Sequence, residues 1–247
     1  MNVAKQAVKA VVPARYHAPV KRYGYRALHF GLGFYCPCCG SRVRGFKPYH
    51  RRSAARCPVC DALERDRLAS LLLRRRAGLL RGARRILHVA PEPSVARLLR
   101  EERADYVSLD LGERDAALRA DLTRMPFGAR AFDGIYCSHV LEHIPADFAA
   151  MREMCRVLRP GGWAILQVPI RRGRTIEDPA ITDPGLRRRL FGQSDHVRFY
   201  GEDICERLHA AGLAVSVENP GRGLTRDTVR RLGLSVQEPI FLCHRPR

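Results

Sequence analysis

The sequence has no long hydrophobic run. None of its 247 residues belongs to an apolar stretch approaching the roughly eighteen residues that a membrane-spanning helix needs. The amino-terminal segment interrupts its apolar residues with Lys5 and Lys9, so it lacks the apolar centre of a secretion signal. The sequence therefore predicts a soluble, cytoplasmic protein.

Acidic residues are scarce, and the shortage is confined to one part of the chain. Lys and Arg together number 44 against 25 Asp and Glu, a net charge of +19. Residues 1–85 hold 20 basic and 3 acidic residues, whereas the remainder is nearly balanced. This asymmetry predicts an anionic partner, RNA or another polyanion, for residues 1–85. A general bias toward arginine explains the excess equally well.

Five of the nine cysteines cluster near the amino terminus. Four of them follow the spacing C-x2-C-x17-C-x2-C, which is typical of two tight turns that present four thiolates to one structural Zn²⁺. These predicted ligands are Cys36, Cys39, Cys57 and Cys60. Cys38 is the spare cysteine, although it is an alternative to Cys39. Without a secretion signal, a metal site is favoured over disulfides.

Composition and breaker residues divide the chain into four predicted parts. A basic arm punctuated by Pro and Gly occupies residues 1–33, and a four-Cys zinc ribbon occupies residues 34–61. The many leucines and arginines of residues 62–83 predict an amphipathic connecting helix. An α/β domain follows over residues 84–247.

A β-α-β unit marks the centre of this domain. Residues 132–137 form an apolar run typical of a buried strand, and residues 147–157 have helical spacing. A Pro-Gly-Gly turn then leads into the next apolar run, residues 163–168. Ser138 and His139 fall just past the first strand, where open α/β sheets bind their ligands.

Two stretches of this unit carry a family resemblance: Ser-His-Val-Leu-Glu-His over residues 138–143 and Arg-Val-Leu-Arg-Pro-Gly-Gly over residues 156–162. Together with the preceding Phe-Asp and strand, they resemble the class I S-adenosylmethionine-dependent methyltransferases, in particular the type 11-like group. The resemblance covers roughly residues 84–247. It implies a Rossmann-like, doubly wound sheet of seven mostly parallel strands with the last strand antiparallel. It also implies S-adenosylmethionine as cofactor.

The turn after the first strand of the domain departs from the family. Most members have an acidic residue and a Gly-x-Gly-x-Gly turn there, whereas this chain has His88, Val89 and then Ala90-Pro91-Glu92-Pro93. Glycines permit close approach of the backbone to the cofactor, whereas prolines remove amide donors. S-adenosylmethionine carries an ammonium and a sulfonium, so Glu92 is not repelled by the cofactor.

Further cofactor contacts are predicted at the ends of the following strands. Asp110 stands twenty positions beyond Ala90, where a carboxylate accepts hydrogen bonds from both ribose hydroxyls. By resemblance, Asp121 meets the adenine amino group and Leu122 packs on the ring. The complete predicted cofactor set is Ala90, Pro91, Glu92, Asp110, Leu111, Asp121, Leu122, Ser138 and His139.

Catalytic candidates lie in a loop that follows the strand ending near Val168. We expect His196 to act as a base if the acceptor must lose a proton, with Asp195 orienting it and His139 in reserve. Arg198 suggests a clamp for an anionic acceptor, although an ordinary salt-bridged loop explains this cluster equally well. His139 to His143 also spells H-x-x-E-H, but a strand precedes it and Pro145 interrupts it. A zinc protease is therefore not expected, and His143 is interpreted as a packed residue.

These observations predict a methyltransferase whose acceptor is a small molecule, glycan or peptide. One alternative is an RNA methyltransferase that binds RNA through the ribbon, where aromatic and basic residues alternate. No Asn/Asp-Pro-Pro-aromatic site of base-methylating enzymes follows Val168. The other alternative is a non-catalytic binding protein that has lost the cofactor turn.

Overall fold

The computed structural model describes residues 23–50, 52–101, 105–112 and 116–247. Most of the predicted basic arm therefore lies outside the described residues. Among the described helices, none is both long and apolar enough to cross a membrane.

The ribbon contains two short antiparallel hairpins, β1–β2 and β3–β4. Their strands are β1 (Phe34–Cys36), β2 (Ser41–Val43), β3 (Lys47–Tyr49) and β4 (Arg52–Arg56). Two helices connect the ribbon to the α/β domain: α1 (Glu64–Arg75) and α2 (Ala77–Arg81).

The remaining elements follow in chain order. The strands are β5 (Arg85–Val89), β6 (Asp105–Asp110), β7 (Leu118–Arg119), β8 (Phe132–Ser138), β9 (Leu158–Gln167), β10 (Ile176–Glu177), β11 (Arg198–Phe199), β12 (Ala214–Glu218) and β13 (Ile240–His244). The helices are α3 (Pro93–Glu101), α4 (Asp147–Val157), α5 (Pro184–Phe191), α6 (Ile204–Ala210) and α7 (Arg226–Leu232).

Seven strands form one sheet in the order β12-β13-β9-β8-β5-β6-β7. Strands β5 to β9 pair in parallel, whereas β13 inserts antiparallel between β9 and β12. The predicted fold class, an α/β sheet of seven mostly parallel strands with an antiparallel last strand, is confirmed.

Both faces of the sheet are covered because successive side chains of each central strand point to opposite sides. Leu87 and Ile135 pack in the core that includes α4 and α6, and neighbouring Ile86 and Tyr136 pack in the core that includes α1 and α3. The apolar runs seen in the sequence are therefore buried on two sides.

The ribbon is docked on the α/β domain through buried arginine. Arg67 on α1 is fully buried and donates to the carbonyls of Ala62 and Gly233, while its guanidinium lies 3.9 Å from the Phe46 ring centroid. Arg74 and Arg97 donate to the carbonyls of Pro37 and Cys38 in the first cysteine turn. Part of the excess positive charge of residues 1–85 thus has a structural role.

Three segments differ from the sequence-based expectation. The connecting helix is interrupted at Arg76, whose backbone leaves the helical region at φ −102° and ψ 40°. Strand β9 begins at Leu158 rather than Trp163, because Gly161 and Gly162 exchange hydrogen bonds with Arg245 near the chain end. Helix α7 was not predicted; its Thr225 cap and Gly233 end are visible in the sequence.

Substituting Gly134 tests the packing of the central strands. Gly134 on β8 is the register partner of Trp163, and a Cβ added there would lie 2.3 Å from Trp163 Cζ2. Because Trp163 is buried and also donates to the Leu79 carbonyl, it has little room to move. We expect Gly134→Ala to lower the free energy of unfolding by about 1–3 kcal/mol in chemical denaturation. Gly128→Ala, where the added Cβ meets nothing within 4 Å, is the control.

Candidate functional site

The carboxyl ends of the central strands enclose a cleft of about 260 Å³, here called the strand-end cleft. Because β5 lies between β6 and β8, the loops after all three strands meet at one edge of the sheet. The lining residues are Val89, Ala90, Leu109, Asp110, Leu111, Ala120, Asp121, Leu122, His139, Val140, His143, Ile144 and Asp195.

Six of the nine predicted cofactor residues line this cleft: Ala90, Asp110, Leu111, Asp121, Leu122 and His139. The structure does not bring Pro91, Glu92 or Ser138 to its wall. Ser138 instead lies buried, with its hydroxyl 3.4 Å from Gln167 Oε1. A larger cavity of about 930 Å³ lies elsewhere, between the ribbon and residues 219–237.

The unusual turn after β5 has the backbone shape of a glycine turn. Ala90 adopts φ 48°, in the left-handed region that glycine occupies most easily. The Glu92 side chain turns toward the buried His88, and the distance from Glu92 Oε2 to His88 Nε2 is 2.9 Å. Glu92 therefore does not block the cleft, and the methyl group of Ala90 is the only side chain of the turn on its wall.

The two acidic residues of the cleft are held by local turns. Asp110 ends β6, is 9% exposed, and accepts a hydrogen bond from the Gly112 amide at Oδ1. Asp121 accepts from the amide and the hydroxyl of Thr123, both at Oδ1 and both at 2.8 Å. Both carboxylates are thereby oriented by their own backbone, which costs little conformational entropy on ligand binding.

Residues 139–143, here called the histidine turn, follow β8 directly. His139 has φ 53°, a rare conformation for a residue other than glycine, and Leu141 to His143 form one turn of 3-10 helix. Glu142 within this turn is 1% exposed, and its Oε1 lies 3.3 Å from His139 Nδ1. The sequence analysis assigned no role to Glu142, although the Glu-His pair that follows the strand is visible in the sequence.

The predicted catalytic residues Asp195 and His196 do not contact each other as expected. His196 is buried, and its Nδ1 donates to the Phe191 carbonyl at 2.9 Å, so its Nε2 carries the lone pair. Asp195 is exposed, and its Oδ2 lies 3.2 Å from Nδ1 of His143, not of His196. The rings of His143 and His196 pack edge to face with centroids 4.6 Å apart. Burial lowers the pKa of His196 below its usual value.

Arg198 is not free to bind an anionic acceptor, because it is 3% exposed and bonded within the protein. It donates to the carbonyls of Leu141, Ile144 and Pro145, and to Glu177 Oε2 at 2.7 Å. The guanidinium thus fixes both ends of the segment that contains Glu142 and His143.

The four predicted ligand cysteines are brought together. The Sγ atoms of Cys36 and Cys60 are 3.7 Å apart, and those of Cys39 and Cys57 are 3.9 Å apart. Sulfurs about 2.3 Å from a tetrahedral zinc would be about 3.8 Å from one another, so the spacing fits such a site and is far too long for a disulfide. Cys38 is buried nearby but does not belong to this group of four.

Comparison with known proteins agrees with the fold. Residues 74–166 match the family described as Methyltransferase domain. This part of the chain is therefore similar to methyltransferase domains. The match includes β5, β6, β8 and most of β9, and therefore most of the strand ends that build the cleft.

Curated relatives match parts of the chain. The methyltransferase GfsG of Streptomyces halstedii is 35% identical over 115 residues, 45% of this chain and 37% of that protein. The demethylmenaquinone methyltransferase of Mycobacterium tuberculosis is 50% identical over 42 residues, 17% of this chain and 18% of that protein. The chain matches well under half the length of either relative.

Solved structures share the fold at low sequence identity. The [4+2]-cyclase SpnF aligns with a TM-score of 0.52 and 15% identity, covering 94% of each chain. The YcgJ protein of Bacillus subtilis aligns with a TM-score of 0.50 and 16% identity, covering 72% of this chain and 98% of that one.

Replacing Arg198 tests whether it holds the histidine turn. Arg198→Met removes the donors to three carbonyls and leaves Glu177 and the buried Asp147 with less compensating charge. We expect a loss of about 3 kcal/mol in the free energy of unfolding, measured by chemical denaturation. Arg174→Met is the matched control, because Arg174 is 80% exposed and its ion pairs are 3.8 and 4.0 Å long. Equal losses in the two variants would contradict a specific role for Arg198.

Proposed function

We propose that this protein is an S-adenosylmethionine-dependent methyltransferase whose cofactor occupies the strand-end cleft. The observation that carries the proposal is the convergence of Ala90, Asp110, Asp121 and His139 on one cleft at the carboxyl ends of β5, β6, β7 and β8. The family match and the methyltransferase relatives support the same reaction class.

Each part of the cofactor has a matching group in the cleft. Asp110 accepts hydrogen bonds from the ribose hydroxyls, since it ends the strand beside β5 and faces the cleft. Asp121 and the buried Leu122 contact the adenine. When bound, S-adenosylmethionine would supply the methyl group for in-line displacement, and the residues of the histidine turn that line the cleft would help to position the acceptor, on which such a transfer mainly depends.

The structure removes one argument for the non-catalytic alternative, because Glu92 turns away from the cleft and Ala90 adopts the positive φ that glycine favours; the amide donors missing at Pro91 and Pro93 are still missing. The fold alone does not decide the reaction, as the similarity to a protein named as a [4+2]-cyclase illustrates. Direct cofactor binding is therefore the primary test.

An RNA acceptor remains the second candidate function, supported by the charge of residues 1–85. The structure reduces that support, because Arg67 and Arg74 of this range bind carbonyl groups within the protein. We therefore favour a small molecule, glycan or peptide as acceptor.

We also propose that Cys36, Cys39, Cys57 and Cys60 hold one structural zinc ion. A closed site of four thiolates leaves no coordination position for a substrate. The strands of the ribbon hairpins are only three to five residues long, so a metal supplies the stability that so small a core lacks.

Asp110→Ala tests the cofactor site. We expect S-adenosylmethionine to bind about 1–3 kcal/mol more weakly in calorimetry, because the ribose hydroxyls lose their acceptor. Asp105→Ala is the control: Asp105 begins the same strand, is 64% exposed and pairs with Arg85 at the opposite end of β6. Unchanged affinity in Asp110→Ala would place the cofactor elsewhere, and absence of binding to the unmodified protein would reject the proposed function.

Metal analysis tests the ribbon. Protein purified without added metal should contain about one zinc per chain at this site. Cys57→Ser should lose that zinc and lower the melting temperature, whereas Cys155→Ser, a partly buried cysteine outside the group of four, should keep it. A well-folded protein that contains no metal would contradict the assignment.

A further inference from the structure

Two buried polar groups beside the strand-end cleft lack the hydrogen bonds that buried groups almost always make. Glu142 is 1% exposed, and within the described residues neither of its carboxylate oxygens makes a hydrogen bond; its Oε1 has only an ion-pair contact, 3.3 Å from His139 Nδ1. His196 is 2% exposed, and its Nε2 is unpartnered in the same part of the structure. Burying such groups without compensation is costly, so they indicate a ligand.

The side chains of Glu142 and His196 lie close together, with His143 beside them. Glu142, His143 and His196 each offer a ligand atom, and these atoms lie within 4.8 Å of one another. A metal ion about 2.0–2.2 Å from nitrogen and oxygen ligands fits between them after a small inward movement of the side chains.

The outer contacts of both imidazoles, a hydrogen bond for His196 and an ion-pair contact for His143, are of the kind that metal-bound histidines make. A histidine ligand usually donates its other ring nitrogen to a carbonyl or a carboxylate, which fixes the lone pair toward the metal. His196 Nδ1 donates to the Phe191 carbonyl, and His143 Nδ1 lies 3.2 Å from Asp195 Oδ2. In each ring Nε2 is therefore the nitrogen left for a metal.

We propose that Glu142, His143 and His196 form a second metal site, distinct from the four-cysteine ribbon, that binds a divalent transition-metal ion. Two imidazoles and one carboxylate suit Zn²⁺, Mn²⁺, Fe²⁺ or Co²⁺ better than Mg²⁺ or Ca²⁺, which prefer oxygen ligands alone. His139 lies at the edge of the same group, 3.3 Å from Glu142 Oε1.

The role of this site rests on the proposed function. His143 and Asp195 line the strand-end cleft, so a metal held beside them borders the place where the acceptor meets the cofactor. Three protein ligands leave coordination positions open, and a hydroxyl oxygen bound there loses its proton to solvent more easily. The oxygen then forms the bond to the methyl carbon as the sulfur–methyl bond breaks, and the sulfonium becomes a neutral thioether. His196 acts in this scheme as a ligand and not as the base.

The test is a titration of the full-length, zinc-loaded protein with Co²⁺, followed by calorimetry and visible absorption. We expect one Co²⁺ per chain to bind with the weak absorption of nitrogen and oxygen ligands and without thiolate-to-metal charge transfer. Glu142→Gln and His196→Gln should each weaken this binding by at least about tenfold. His209→Gln, an exposed histidine on α6, is the control and should bind as the unmodified protein does.

If Glu142→Gln does not fold, His143→Gln replaces it, because the His143 side chain is 33% exposed and tolerates substitution better. Absence of Co²⁺ binding outside the ribbon, or binding that both variants retain, would overturn the metal site. Calorimetry with S-adenosylhomocysteine on the same samples separates the two proposals. Cofactor binding without Co²⁺ binding rejects the metal site alone, whereas Co²⁺ binding without cofactor binding rejects the proposed function alone.

Discussion

The parallel pairing of β5 with β6 on one side and β8 on the other determines where the strand-end residues of the candidate site lie. Parallel strands all end at the same edge, so residues distant in sequence, such as Ala90, Asp110 and His139, are brought to one cleft. The two-sided burial of these strands makes the pairing rigid, because a shift in register would expose apolar side chains and bury polar ones.

Buried arginine guanidinium groups then hold the histidine turn and the ribbon in place. Arg198 binds one carbonyl within the histidine turn and others just after it, and Arg67 joins the ribbon, α1 and the end of α7. A buried arginine supplies five donors in a fixed fork, which suits it to satisfy several carbonyls at once where no regular hydrogen-bond ladder exists. A high arginine content in this chain therefore does not by itself indicate a nucleic-acid partner.

Local sequence patterns predicted the fold well and the site only in part. Helix α4 has the predicted bounds, because apolar periodicity and the flanking Pro and Gly residues act within a few positions. The pairing of Asp195 with His143, and the position of His196 beside Glu142, depend on contacts between loops about fifty residues apart. No local pattern encodes such contacts, so the roles expected for Asp195 and Arg198 did not match the contacts that these residues make.

The candidate cofactor and acceptor regions arise from different parts of the chain, and this separation has a functional consequence. The cofactor side is built by the strand ends of β5, β6 and β7, whose positions the core fixes. The opposite side is built by the histidine turn together with residues 191–198, which contact it through Val197, Asp195 and Arg198. Leu141 and Phe191 of these loops are buried, so the loops are anchored, whereas His143 and Asp195 line the cleft with partly exposed side chains. Under the proposed function, we therefore expect substitutions of His143 and Asp195 to alter acceptor binding, and substitutions at the strand ends to alter cofactor binding.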